Sequence, residues 1–211
     1  MPKSPLKIVV LLSGSGTTLQ NLIDLIDQGR LDARIVGVIA SRAGAYGLER
    51  ARKHGIPSAT VLRKDFADTP TFSAAVWTQI REYDPELVVM AGFMSLLDVP
   101  DDFANRIVNV HPALIPAFCG KGMYGHHVHE AVLAYGAKIT GVTVHFANAH
   151  YDEGPIILQA PVPVLEDDTP DSLAERVQAK EREVYPQAIQ LIAEGRVSVE
   201  GRKVHIRQGN A

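Results

Sequence analysis

Residues 7–20 read Lys7-Ile8-Val9-Val10-Leu11-Leu12-Ser13-Gly14-Ser15-Gly16-Thr17-Thr18-Leu19-Gln20. Five uninterrupted aliphatic residues, Ile8 to Leu12, suit a strand covered on both faces, as parallel sheets require. A loop of glycines and hydroxyl residues follows, and from Leu19 to Asp27 the apolar spacing becomes helical. Strand, glycine loop and helix open a βαβ unit, and the backbone amides at such a helix start favour an anion such as phosphate. The same glycines also serve a tight turn that binds nothing. A dinucleotide loop would carry a third glycine three residues after Gly16 and an acidic residue closing the second strand. Leu19 and Ala40-Ser41-Arg42 stand there instead, which argues for a phosphate and against a nicotinamide dinucleotide.

The same rhythm continues outward. Ile35 to Ala40 precedes Tyr46 to His54, Ala59 to Leu62 precedes Thr71 to Tyr83, and Leu87 to Ala91 and Ile107 to Val110 add two apolar runs. This alternation predicts an α/β fold, a Rossmann-like and mostly parallel twisted sheet flanked by helices. After His111 come a glycine-rich loop, a helix near Val128 to Tyr135, and two adjacent runs, Ile139 to Phe146 and Ile156 to Val164. The last two predict one antiparallel strand. Thr169 to Ser172 offers caps for a long helix over Leu173 to Ala193, stopped at Gly195, and Val197 to Arg207 reads as a terminal hairpin. One domain is expected over 1–211, with a phosphate-binding Rossmann-like half, 1–105, and a second half, 106–211, that carries the catalytic residues and, by the resemblance described below, the co-substrate.

With 21 Lys+Arg against 24 Asp+Glu and a formal charge of −3 over 211 residues, the basic excess of a nucleic-acid binder is missing. The apolar runs are too short to cross a bilayer and the first residues lack a signal-peptide core, so a cytoplasmic protein without a membrane partner is expected. Cys119 is the one cysteine and cannot form an internal disulfide. His126, His127 and His129 cluster, but without a carboxylate at ligand spacing no metal is expected.

The chemistry-bearing residues lie in Val108-Asn109-Val110-His111-Pro112-Ala113-Leu114-Ile115-Pro116 and in Tyr151-Asp152-Glu153-Gly154-Pro155. Alternation along a strand points Asn109 and His111 the same way. Pro112 and Pro116 stop that strand, leaving His111 at its carboxyl edge, where open α/β sheets place their ligands. An amide, an imidazole and a carboxylate can stabilise an oxyanion and move a proton, which points to acyl-group transfer. Asp152 is expected to raise the pKa of His111 and keep it charged. Taken singly, Asn109 and His111 could merely tie down a proline-rich loop, and Asp152 could be a turn residue.

The pattern Asn-x-His-Pro-x-x-x-Pro with a later Asp-x-Gly-Pro resembles the signature of the folate-dependent formyltransferases. Ser13 to Gln20 and Ala91-Gly92-Phe93-Met94 extend the match, which runs from Lys7 to Gly195 and is strongest to members acting on glycinamide ribonucleotide. The resemblance implies that the formyl group of 10-formyltetrahydrofolate passes to the amine of glycinamide ribonucleotide in purine synthesis, with Asn109, His111 and Asp152 catalytic. It places the ribonucleotide at Gly16, Thr17, Thr18, Pro112, Gln178 and Glu181. It places the folate at Met94, Ser95, Leu96, Leu97, Asn109, Asn148, Ala149, His150 and Thr69. Two positions depart from the family pattern: Ser95 replaces a basic residue, and Thr69 replaces an arginine that meets the folate tail, leaving that contact to Arg63 or Lys64. The loop 118–127 reads as a mobile lid whose Lys121 approaches the phosphate. The implied partners are small molecules, with a monomer or homodimer as the assembly. Alternatives are another formyl-folate enzyme, such as a formyltetrahydrofolate hydrolase or a methionyl-tRNA formyltransferase, and a non-catalytic nucleotide-binding module. The first two resemble longer proteins with an added domain.

Overall fold

The computed structural model describes residues 4–209. In chain order the elements are β1 (Leu6–Leu12), α1 (Thr17–Asp27), β2 (Ala33–Ala40), α2 (Tyr46–Lys53), β3 (Ser58–Thr60), α3 (Thr69–Glu82), β4 (Leu87–Met90), β5 (Ile107–His111), α4 (His126–Tyr135), β6 (Ile139–Phe146), β7 (Ile156–Pro163), α5 (Pro170–Ala193), β8 (Val197–Glu200) and β9 (Lys203–Ile206). β1 to β7 form a mostly parallel sheet in the order β3-β2-β1-β4-β5-β6-β7, with β6 and β7 antiparallel, and β8 and β9 form the separate hairpin. The chain divides into two compact units between Val108 and Asn109.

In the first unit β1 lies between β2 and β4, parallel to both, and Leu11 pairs with Ile39 on one side and Met90 on the other. Ile8 to Leu12 are fully buried, as an aliphatic run between two neighbours must be. α1 buries Leu19, Leu22 and Ile23, while α3 buries Phe72, Val76, Trp77 and Ile80 at helical spacing. Asp68 caps α3, its carboxylate accepting the Thr71 N–H at 2.9 Å. β3 is shorter than the run Ala59 to Leu62 suggests. Val61 N–H still bonds Ala40 O, but a 3-10 turn at Arg63–Asp65 follows directly and ends the pairing.

In the second unit α5 lies against β6 and β7, and α4 packs on α5. A reciprocal capping box starts α5: the Ser172 N–H donates to Thr169 Oγ1 at 3.2 Å and the Thr169 N–H donates to Ser172 Oγ at 3.0 Å. The helix therefore begins at Pro170, ahead of the expected Leu173, and runs on through the buried Pro186. Gly141, mid-strand in β6, has no room for a side chain. A Cβ there would lie 2.2 Å from the Ala160 carbonyl oxygen of β7, and that oxygen is fixed by the strand. Gly141→Ala is therefore expected to lower stability by about 1–3 kcal/mol through overpacking, read as a lower urea midpoint at unchanged slope. An unchanged midpoint would show that the strand pair can open by about an ångström at no cost.

Candidate active site

β5 ends at His111, and the chain beyond it is held by a network built on the buried Thr143 and on Gln159. Thr143 Oγ1 donates to Ala113 O at 2.7 Å and accepts the Ile115 N–H at 3.1 Å. The Gln159 amide donates to both Ile115 O at 2.9 Å and Thr143 Oγ1 at 3.0 Å. This satisfies the backbone of a segment whose prolines cannot join a ladder. His111 consequently sits only 3% exposed at the strand end.

Four polar side chains converge there. His111 Nδ1 lies 3.5 Å from Asp152 Oδ2, and His145 Nε2 lies 3.6 Å from Asp152 Oδ1. Asn109 Nδ2 is 3.3 Å from His145 Nε2. Asp152 Oδ2 also accepts the Gly120 N–H at 2.9 Å. Asp152 itself has a left-handed backbone, φ 58°, which Asp tolerates better than most residues. The Asp-x-Gly spacing has a steric cause: a Cβ at Gly154 would fall 1.6 Å from Phe146 O, so only glycine lets this turn close on the end of β6.

Each ring nitrogen of His111 faces an acceptor. Nε2 lies 2.8 Å from the Phe118 carbonyl oxygen, which cannot donate, so Nε2 carries the hydrogen. Burial is the largest influence on the ring and lowers its pKa; the Asp152 carboxylate and the Phe118 carbonyl act upward without overcoming it. Burial thus holds the ring below the usual imidazole range, against the expectation that Asp152 would raise it and keep His111 charged. The pairing was legible, but the degree of burial that outweighs it was not. Asp152 lies below the usual carboxylate range: burial alone would raise it, but its contact with His145, the neighbouring His111 ring and the Gly120 N–H together outweigh that.

Sequence reasoning missed His145, Thr143 and Gln159. The first two lie in the buried part of β6, with an irregularity in its pairing just before His145, and a histidine inside a buried strand was the available signal. The histidines singled out instead lie elsewhere. His126 and His127 are exposed, and His129 is buried with its Nδ1 unpartnered. Among the described residues no group of three His, Cys, Asp or Glu side chains could hold a metal ion, and no helix is long and apolar enough to cross a membrane.

In the first unit the glycine loop is braced by α2. Gly47 N–H donates to Gly14 O at 3.1 Å and Arg50 Nε donates to Ser15 O at 2.9 Å. Both carbonyls are therefore engaged, while among the described residues the amides of Gly14, Ser15, Gly16, Thr17 and Thr18 meet no protein acceptor. Such a set of amides at a helix start can receive an anion. Gly16 is also a structural necessity, with φ 70° and a Cβ that would lie 2.6 Å from Gly47 Cα. Thr17 is exposed and Thr18 half-buried. Met94 is 45% exposed, Ser95 and Leu96 are half-buried, and Leu97 is buried in the core. Thr69 opens α3, and Arg63 is occupied, with Nη1 on Phe66 O at 2.8 Å and its guanidinium 5.6 Å from the Phe72 ring centre.

In the second unit Pro112 is half-buried, and Asn148 Oδ1 accepts the His150 N–H at 3.0 Å in a local turn that leaves Ala149 and His150 exposed. Gln178 is exposed on α5. Glu181, one turn on, is half-buried, and burial pushes its carboxyl up to about 7.

Residues 6–189 match the formyl transferase family. The chain is 37% identical to the phosphoribosylglycinamide formyltransferase of Escherichia coli over 196 residues, 92% of this chain and 90% of that one. It superposes on glycinamide ribonucleotide transformylase 1 from Symbiobacterium toebii with a TM-score of 0.90 and 45% identity, covering 96% of this chain and 94% of that one. It is also 39% identical over 195 residues, 92% of its own length, to the trifunctional purine biosynthetic protein adenosine-3 of Gallus gallus, of which it spans 19%. The chain belongs to the formyl transferase family.

Because the Asp152 charge opposes the lowering of His111, its removal lowers the ring's pKa further. If neutral His111 is the active form, activity falls as pH drops through that pKa. Asp152→Asn should then move the acid limb of the kcat/KM profile to lower pH while turnover decreases. A limb that stays put or moves up would detach the carboxylate from the imidazole.

Proposed function

We propose that this formyltransferase passes the formyl group of 10-formyltetrahydrofolate to the primary amine of glycinamide ribonucleotide, releasing tetrahydrofolate, in purine synthesis. The observation that carries the reading is the convergence of Asn109, His111, Asp152 and His145 at the end of β5. The folate supplies the formyl carbon, and the chain's own groups bind, orient and move protons.

As the amine attacks, the formyl oxygen gains negative charge. The Asn109 amide and the His111 Nε2–H are the donors for it, among side chains partly withdrawn from water. Nε2 reaches the oxygen once the Phe118 carbonyl releases it, and the glycines at 120, 122 and 125, all with positive φ, give that loop its freedom. The proton lost by the amine is taken up between Asp152 and His111 Nδ1 and returned to the leaving folate nitrogen. Burial keeps the ring neutral at rest, and Asp152 stabilises the charge only while it is needed.

We assign the substrate phosphate to the amides of Gly16, Thr17 and Thr18, with Pro112, Gln178 and Glu181 toward the rest of the ribonucleotide. Glu181, titrating near neutrality, can accept or donate a hydrogen bond there. The folate is assigned to Met94, Ser95, Leu96, Leu97, Asn109, Asn148, Ala149 and His150. Thr69 supplies no charge for the tail, and with Arg63 occupied, the exposed Lys64 is the cation proposed for it.

Mixing the protein with glycinamide ribonucleotide and 10-formylfolate, and following deformylated folate by absorbance, tests the reading. Release should require the ribonucleotide. Equal release in its absence would indicate hydrolysis, and no release would overturn the assignment. His111→Ala and Asn109→Ala should each lower turnover by about two to three orders of magnitude with the fold intact, since each removes an oxyanion donor. Near-normal turnover in either variant would remove it from that role.

A further inference from the structure

Residues 93–97 form no helix or strand, yet this is the segment assigned above to the folate. Among the described residues, one hydrogen bond holds its backbone: the Met94 N–H donates to Ser13 Oγ at 3.0 Å. On either side the chain is anchored differently. Ala91 N–H bonds Leu11 O at 2.7 Å, and beyond the segment Asp98 receives the Trp77 indole N–H on its carbonyl and donates its own N–H to Ser73 Oγ. Ser13 touches the turn a second time, its N–H donating to Gly92 O at 3.0 Å, and Gly92 has the left-handed φ of 73° that reverses the chain there.

The Ser13 side chain is 5% exposed and its oxygen lies 2.6 Å from Ser41 Oγ, also buried, at the end of β2. The hydroxyl thus faces inward, away from any anion on the glycine loop that Ser13 introduces. A buried hydroxyl with two partners of fixed position is a rigid acceptor.

We propose that Ser13 is a positioning residue for the folate: its hydroxyl fixes the Met94 backbone, so the residue that opens the phosphate loop governs the affinity of the other ligand. This rests on the folate assignment given under the proposed function. Removing the hydroxyl leaves the Met94 N–H without its acceptor and lets 93–97 populate other conformations, which lowers apparent affinity by the fraction of chains still competent to bind.

The test is calorimetric titration of 10-formylfolate and of glycinamide ribonucleotide, each alone, into the wild type, Ser13→Ala and Ser41→Ala. For Ser13→Ala the folate dissociation constant should rise about five- to thirty-fold while that of the ribonucleotide changes less than about twofold. Ser41→Ala keeps the acceptor for Met94 and should leave folate binding within about threefold of wild type. Ser13→Cys, a weaker acceptor, should fall between alanine and wild type. Loss of ribonucleotide binding in Ser13→Ala, unchanged folate binding, or an equal loss in Ser41→Ala overturns the proposal. A wild type that binds no folate removes the folate assignment itself, which is a different failure from a tether that does not matter. Should Ser13→Ala not fold, amide hydrogen exchange on the wild type decides: Met94 alone within 93–97 should be protected, and an unprotected Met94 overturns the tether.

Discussion

Burial of His111 between two hydrogen-bond acceptors is the constraint on which the rest of the second unit depends. An imidazole removed from water resists protonation, yet here a carboxylate lies 3.5 Å from one nitrogen and a carbonyl 2.8 Å from the other. The surroundings are arranged to hold the carboxylate still. The Gly120 N–H fixes one Asp152 oxygen, His145 approaches the other, and Gly154 allows the Asp152 turn to close against Phe146 O. Thr143 and Gln159 meanwhile secure the chain that leaves His111. A resting neutral ring that can share a proton on demand suits a reaction in which a proton leaves one nitrogen and arrives at another.

The first unit solves a different problem, presenting free amides without leaving carbonyls to compete. Two carbonyls of the glycine loop are turned back onto α2 by Gly47 and Arg50, and Gly16 permits the close approach of the two elements. Local electrostatics alone would make such a surface attractive to an anion. Selectivity for one substrate must come from the groups farther along it.

Much of this was legible in the residues. The aliphatic run Ile8 to Leu12, the loop and the amphipathic α1 gave the parallel sheet, because burial on both faces and helical spacing leave distinct patterns. Thr169 to Ser172 marked the start of α5 through cap chemistry that acts over four residues. Asn109 and His111 could be named because strand alternation and the prolines fix their direction locally, and Asp152 because Asp-x-Gly-Pro resembles the family signature. His145, the Phe118 carbonyl and the Gly120 N–H could not, because each reaches the site through pairing or a loop path that spacing does not encode. The charge of His111 was misjudged for a related reason. A sequence shows that a carboxylate partner exists, but the sign of a pKa shift depends on how much water the fold removes, and that is a tertiary quantity.

The central claim is that His111 rests neutral, with its hydrogen on Nε2, and gains charge only in the course of the reaction. Nitrogen and carbon chemical shifts of isotopically labelled imidazole, followed across pH 4 to 9 in the folded wild-type protein, read both tautomer and protonation directly. The account predicts an Nε2–H ring at pH 7 that titrates below the usual imidazole value of about 6.5. A ring still doubly protonated at pH 7, or a neutral ring with its hydrogen on Nδ1, would contradict it.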